Sequence, residues 1–324
     1  MIRTRRDALA ALSALPLAAA LPAPAQGAWP TKPLKIYVGF PPGGGADAMA
    51  RLVAAKLPDH LKQAVVVENK TGATGTICSE LVSKAAPDGY TLQLAHINSN
   101  AIGPLMVAKG RFDPINDFTP ITLIGITPQM LCHHPKHKFA SVPELIKYAK
   151  ANPGKLSFAS SGVGSIQHIA GEAFKLQAGC ELLHVPFKGT GEALSALISG
   201  DVDLTFSSTG SALPQINGGK LTLLAVCSPK RLAKFPNVPA VAETLAGYDI
   251  STWYGLAGPG KLPKEIVAKL NAEVHAILKE PEVAKRLQDL DAEVSTGSPE
   301  QFAAFWKKEI EKFRKIIADA KIEA

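Results

Sequence analysis

The chain has 324 residues and is 46% hydrophobic, 19% charged and 6% aromatic. This composition excludes a disordered or fibrous polymer and leaves room for one large domain or two moderate ones. The formal charge is +7, yet no run of Lys and Arg is interleaved with stacking aromatics; nucleic acid is therefore not expected as a partner, while a mild positive balance suits a small anion.

The first residues stand apart. Arg3, Arg5 and Arg6 form a basic head, residues 8–21 are apolar and rich in Ala and Leu, and Ala23-Pro24-Ala25 supplies small residues for cleavage. Residues 1–25 thus read as a secretory signal, marking the mature protein for export. Thr4-Arg5-Arg6 leaves the general and the twin-arginine export routes both open. No later stretch is apolar for long enough to cross a bilayer, so no direct membrane insertion is expected. Cys78, Cys132, Cys180 and Cys227 are widely spaced, with no Cys-x-x-Cys pair. That spacing argues against a zinc or thioredoxin-type site and fits either one or two disulfides or buried free thiols.

Short apolar runs then alternate with helical patterns, the signature of an α/β fold with parallel sheets. Residues 34–40 read as a strand, 46–61 as a helix carrying Met49, Leu52, Val53 and Leu57 on one side, 64–67 as a strand, 76–86 as a helix and 91–95 as a strand. Residues 112–120, rich in Pro, Asp and Asn, read as a connector. Residues 121–126 and 130–132 are strand-like, and Ser141-Val142-Pro143-Glu144 opens a helix through 151 with a capping-box pattern. The alternation continues with strands at 157–160, 182–186, 202–206 and 221–227 and helices at 167–177 and 192–199. A strand near 251–256 precedes two amphipathic helices, striped by Ile266, Leu270 and Val274 and by Phe302, Trp306 and Phe313, the second capped by Ser298.

Glycines and small polar residues repeatedly follow strands and precede helices: Pro41-Pro42-Gly43-Gly44-Gly45-Ala46-Asp47, Thr71-Gly72-Ala73-Thr74-Gly75-Thr76, His96-Ile97-Asn98-Ser99-Asn100, and Ser160-Ser161-Gly162-Val163-Gly164-Ser165. In an open parallel sheet such loops lie at the carboxyl edge, where ligands bind. Glycine lets backbone approach a ligand, and the unpaired N–H groups and dipole of the following helix suit a carboxylate or phosphate. Pro41-Pro42 precludes a dinucleotide fingerprint and no P-loop exists, so no nucleotide cofactor is expected. His133, His134 and His137 surround Pro135 and Lys136 without helical spacing, and no metal is expected. Ser161 or Ser165 with His168 and Asp203 could be assembled into a hydrolytic triad, but no Gly-x-Ser-x-Gly elbow supports it.

Phe40-Pro41-Pro42-Gly43-Gly44-Gly45-Ala46-Asp47, Ala85-Ala86-Pro87-Asp88-Gly89-Tyr90, Ala151-Asn152-Pro153-Gly154-Lys155-Leu156, His184-Val185-Pro186-Phe187-Lys188-Gly189 and Thr252-Trp253-Tyr254-Gly255-Leu256 occur in that order along the chain. In these segments it resembles the Bug (TctC-type) receptors, the periplasmic solute-binding proteins of tripartite tricarboxylate transport systems. The resemblance implies a two-lobed periplasmic-binding-protein fold (type II-like), two sheets with flanking helices and a ligand cleft at the hinge. It implies domain 1 at 26–125 plus 248–324 and domain 2 at 126–247. It further implies a monomeric, non-enzymatic receptor without cofactor that closes on a small di- or tricarboxylate, aliphatic or aromatic, and serves membrane transporter subunits. Carried over by position, the ligand contacts are Pro42, Gly43, Gly44, Ala46, Asp47 and Asn98 from the first lobe and Ser161, Gly162, Ser165, His168, Lys188 and Gly189 from the second, with Asp203 and Ser207 close by. Some of these have plainer uses: Asp47 at a helix start can cap it and pair with Arg51 at i+4, and Lys188 can be a solvated charge. Two departures from the family pattern flank the cleft: Thr74-Gly75 replaces a pair of glycines, and 96–100 is bulkier than the small-residue loop of relatives. The same cleft also fits a ligand sensor for a signalling partner.

Overall fold

Alternation of buried and exposed side chains makes β1 (Leu34–Val38) a strand, with Leu34, Ile36 and Val38 turned inward. A computed structural model describes residues 29–323, and the expected signal at 1–25 lies outside the described residues. After β1 come α1 (Gly45–Leu61), β2 (Val65–Asn69), α2 (Thr76–Ser83) and β3 (Thr91–His96). β1 pairs with β2 and β3 in parallel, so the loops after all three strands share one edge.

The chain then enters β4 (Phe118–His133), followed by α3 (Val142–Ala151), β5 (Ser157–Ser160), α4 (Ile166–Ala178), β6 (Leu183–Pro186), α5 (Thr190–Ser199), β7 (Leu204–Ser208), α6 (Thr209–Asn217) and β8 (Thr222–Val226). β5 pairs in parallel with β6 and β7, giving a second carboxyl edge. The return passes through β9 (Ser251–Pro259), α7 (Lys264–Leu278), α8 (Pro281–Asp289), β10 (Glu293–Val294) and α9 (Pro299–Asp319).

β4 joins the halves. From Phe118 to Pro128 it pairs antiparallel with β9, which also borders β3; from Gln129 onward it pairs with β7 and, from Met130, β8. Hydrogen bonds from Gln129 N to Ile250 O, Ile250 N to Cys227 O and Cys227 N to Gln129 O bind the outgoing and returning passes at this junction. The two strands expected at 121–126 and 130–132 are therefore one, and Pro128 falls where β4 exchanges its partners.

Three apolar clusters follow this plan. Met49, Val53 and Leu57 of α1 pack with Ile266, Leu270 and Ile277 of α7 around the first half. Met130, Cys132, Leu197 and Val202 form a smaller cluster in the second. Between them Phe158, Phe174, Phe206, Trp253, Phe302, Trp306 and Phe313 make one continuous aromatic core. The stripe on α9, capped by Ser298 as expected, is thus core and not membrane surface. No helix among the described residues is long and apolar enough to cross a membrane. All four cysteines are free and buried, which settles the choice left by their spacing; burial pushes the Cys78 and Cys132 thiols up to about 12. Two helices, α6 and α8, and the short strand β10 were not foreseen.

Candidate functional site

The first loop ends in a helix start left bare. Residues 41–45 are exposed, Gly43 holds φ +81°, and Gly44 is the N-cap of α1 with no side chain to satisfy the first-turn amides. The loop is shaped from behind by Asp47, only 4% exposed. Its carboxylate accepts from Gly43 N, Arg51 Nε and Asn69 Nδ2, each at 2.9 Å. Burial opposes the charge, but Arg51, the Gly43 amide and Asn69 outweigh it and hold the carboxyl below its usual range. Asp47 is a brace for the loop.

Across the cleft, the α4 start is already satisfied. Ser161 N donates to Gln167 Oε1 (2.6 Å), Gly162 N to Ser160 Oγ (3.2 Å), Gly164 N to His168 Nδ1 (3.2 Å) and His168 N to the N-cap Ser165 Oγ (3.3 Å). Ile166 N donates to Asn98 Oδ1 at 2.9 Å, so the first half caps a helix of the second. Ser161, Gly162, Ser165, His168 and Asn98 are brought together, with many of their polar groups engaged by protein. His168 stacks on His184 with ring centroids 3.9 Å apart. Burial holds these rings down to about 3 and about 4, so both are neutral and His168 offers an acceptor, not a cation.

The α5 and α6 starts resemble that of α1. Gly189 caps α5 without a side chain, and a Cβ built there or at Gly191 meets nothing within 4 Å. Lys188 is exposed, and its amide donates to Glu192 Oε2 at 3.2 Å. Ser208 caps α6 without bonding its amides. The α6 start faces the α1 start across a cavity of about 20 Å³ lined by Gly45, Met49, Thr127, Ser208, Gly210, Tyr254 and Leu290. Thr127 is 3% exposed and shares the cavity wall with Tyr254, and among the described residues the hydroxyl of buried Ser207 has no hydrogen-bond partner. Such a gap admits about one water. Thr127, Tyr254 and Gly210 were not anticipated; each is an ordinary strand or turn residue until the two halves are superposed at the junction.

Asp203 does not belong here. It lies at the amino end of β7, opposite the Ser160 and Ser208 edge, and accepts from Ser157 N (2.8 Å), Ser157 Oγ (2.9 Å), His137 (2.7 Å) and Lys136 (3.0 Å). Despite opposing burial, these contacts lower it to about 2. The triad dissolves with it: Ser165 Oγ donates to Gly162 O at 2.7 Å, and Asp203 is paired with His137. No group of three or more His, Cys, Asp or Glu among the described residues could hold a metal.

The model of the tripartite tricarboxylate transporter family receptor (TctC) matches residues 49–322. Protein BugT of Bordetella pertussis is 33% identical over 295 residues, 90% of this chain and 90% of that protein. The structure of R. palustris Rpa4515 with adipate superposes with a TM-score of 0.85 at 33% identity, covering 91% of this chain and 99% of that one. MatC from Rhodopseudomonas palustris with bound malate gives 0.81 at 31% identity, over 89% of this chain and 100% of that one.

Proposed function

The chain belongs to the tripartite tricarboxylate transporter receptor (TctC) family, whose members are solute-binding receptors and not enzymes, and from that premise we propose that it captures a small di- or tricarboxylate between its halves and hands it to membrane transporter subunits. The observation that carries this reading is the pair of bare helix starts, α1 and α6, facing one another across the gap beside the buried Thr127 hydroxyl. Main-chain N–H groups at helix starts hold an anion without a fixed cation. Gly43, Gly44 and Ala46 with Pro42 supply the first-lobe wall, and Ser207, Lys188 and Gly189 the second; Asp47, Asn98, Ser161, Gly162, Ser165 and His168 keep the two walls in shape. Adipate and malate in the structural relatives support the ligand class.

In this reading the lobes are residues 26–125 with 248–324, and 126–247, and β4 with the 248–251 return forms the hinge. A ligand bridging both lobes favours the closed arrangement by its differential affinity for it. The protein works as an exported periplasmic monomer. A thermal-shift panel of mono-, di- and tricarboxylates, including adipate, malate, citrate and an aromatic diacid, tests the ligand class. A true ligand at a hundred times its Kd stabilises by about 2.7 kcal/mol. Stabilisation by sugars or amines alone, with every acid silent, overturns the reading.

A further inference from the structure

The turn between α8 and β10 ties both halves to the hinge strand. On one side Leu287 and Ala292 are buried with the α1–α7 cluster. β10 pairs with β4 at Ile126 and Gly125, close to where that strand changes partners. The strands approach closely at Gly125, where a Cβ would stand 3.3 Å from that of Ala292 and from Glu293 O. Leu290 reaches into the cavity between the α1 and α6 starts. Asp291 then adopts φ +49°, a left-handed conformation rare for a residue with a side chain. Its carboxylate lies 2.8 Å from Lys234 Nζ. The neighbour of Lys234, Phe235, packs on the Met130 and Cys132 cluster of the other half. Each partner of this ion pair is thus anchored in a different apolar core. An open groove of about 470 Å³ lies between residues 232–234 and 288–293, with Asp289 and Glu293 lining it beside the pair.

We infer that residues 290–294 are a strap across the hinge and that Lys234–Asp291 is its latch, favouring the closed arrangement without touching ligand. Bending at the β4 junction that parts the α1 and α6 starts must also draw residue 234 away from 291. Closure buries Asp291, whose side chain is only 6% exposed, while Lys234 stays 46% exposed. The Asp291 Oδ2 atom has no hydrogen-bond partner among the described residues, so the buried carboxylate depends on this one lysine. Any loss of closed population raises the apparent Kd in proportion. The inference rests on the lobe-closing receptor proposed above, but not on the identity of its ligand.

The test uses substitutions on the exposed partner, which leave the core intact: Lys234→Ala, Lys234→Glu and Lys234→Arg. Small-angle scattering without ligand reads the shape, and calorimetry with adipate reads the affinity. Lys234→Ala should enlarge the radius of gyration and weaken adipate about three- to tenfold. Lys234→Glu should exceed it, Lys234→Arg should stay near wild type, and the wild-type advantage should fade at roughly 1 M NaCl. Scattering curves and affinities of Lys234→Ala and Lys234→Glu that match wild type at low salt overturn the latch. If wild type ignores adipate, the choice of acid is at fault, and the ligand-free scattering still decides the latch.

Discussion

Asp47 offers the sharpest handle on the loop that is proposed to receive the ligand. Replacing it by Ala strips an acceptor from Gly43 N, Arg51 Nε and Asn69 Nδ2 at once. The Arg51 side chain is half exposed, so that pair is worth no more than about 0.5 kcal/mol. The Gly43 and Asn69 bonds to a charged group contribute roughly 1 kcal/mol each after solvent competition, and the charge at the first turn of α1 about 0.5. The expected loss is about 3 kcal/mol, or roughly 5 °C in Tm for a folded chain of about 300 residues. Because the folded carboxyl is held below its ordinary range, its stabilisation is present above the unfolded pKa near 3.9 and disappears as pH falls through the lower folded value. Denaturant unfolding of wild type and Asp47→Asn should therefore diverge at pH 7 and converge in acid. A gap below about 0.5 kcal/mol at pH 7 for both variants would mean that the network is decorative, and the bracing role would fall.

Other consequences follow from the same geometry. His96 and His168 are both held down to about 3 by burial. Their folded values lie below the unfolded one, so stability is complete above about pH 6.5 and falls as acid charges the unfolded chain, by up to about 1.4 kcal/mol per histidine per pH unit; unfolding at pH 7 and 5 measures it, and a flat profile contradicts neutral burial. Ala at Gly45 would put a Cβ 3.2 Å from the Tyr254 hydroxyl; carboxylate binding should weaken about tenfold with Tm nearly unchanged, whereas Gly191→Ala, in open space, should bind as wild type. A thiol reagent should leave the native protein untouched and titrate four cysteines after unfolding, since all are free and buried; prompt reaction of any native thiol argues against that packing.

Much of the fold is legible because its elements are punctuated. Alternation marks β1, the 3.6-residue stripe marks α1 and α7, and glycines mark the ends between them. α8 escapes because only Val283 and Leu287 of its nine residues are buried, too few to print a stripe. The unity of β4 escapes because Pro128 looks like a break until its position between two sets of partners is seen. The site divides in the same way. The bare starts at Gly44 and Gly189 follow from glycine chemistry, but Thr127 and Tyr254 act through contacts between distant segments. Asp203 was misplaced because two residues mark one strand's opposite ends: Leu204 follows it at the amino end, while Ser207 and Ser208 close the carboxyl end. Which amides are spent also cannot be read in one dimension, since Asn98 caps a helix 68 positions away.

Amide hydrogen exchange, with and without the acid that most raises Tm, tests most directly whether helix-start amides hold the ligand. Slowed exchange should concentrate at residues 43–47 and 208–211, with 189–191 following. Binding that leaves these amides unchanged and protects the groove between 232–234 and 288–293 instead would show that the acid is held elsewhere.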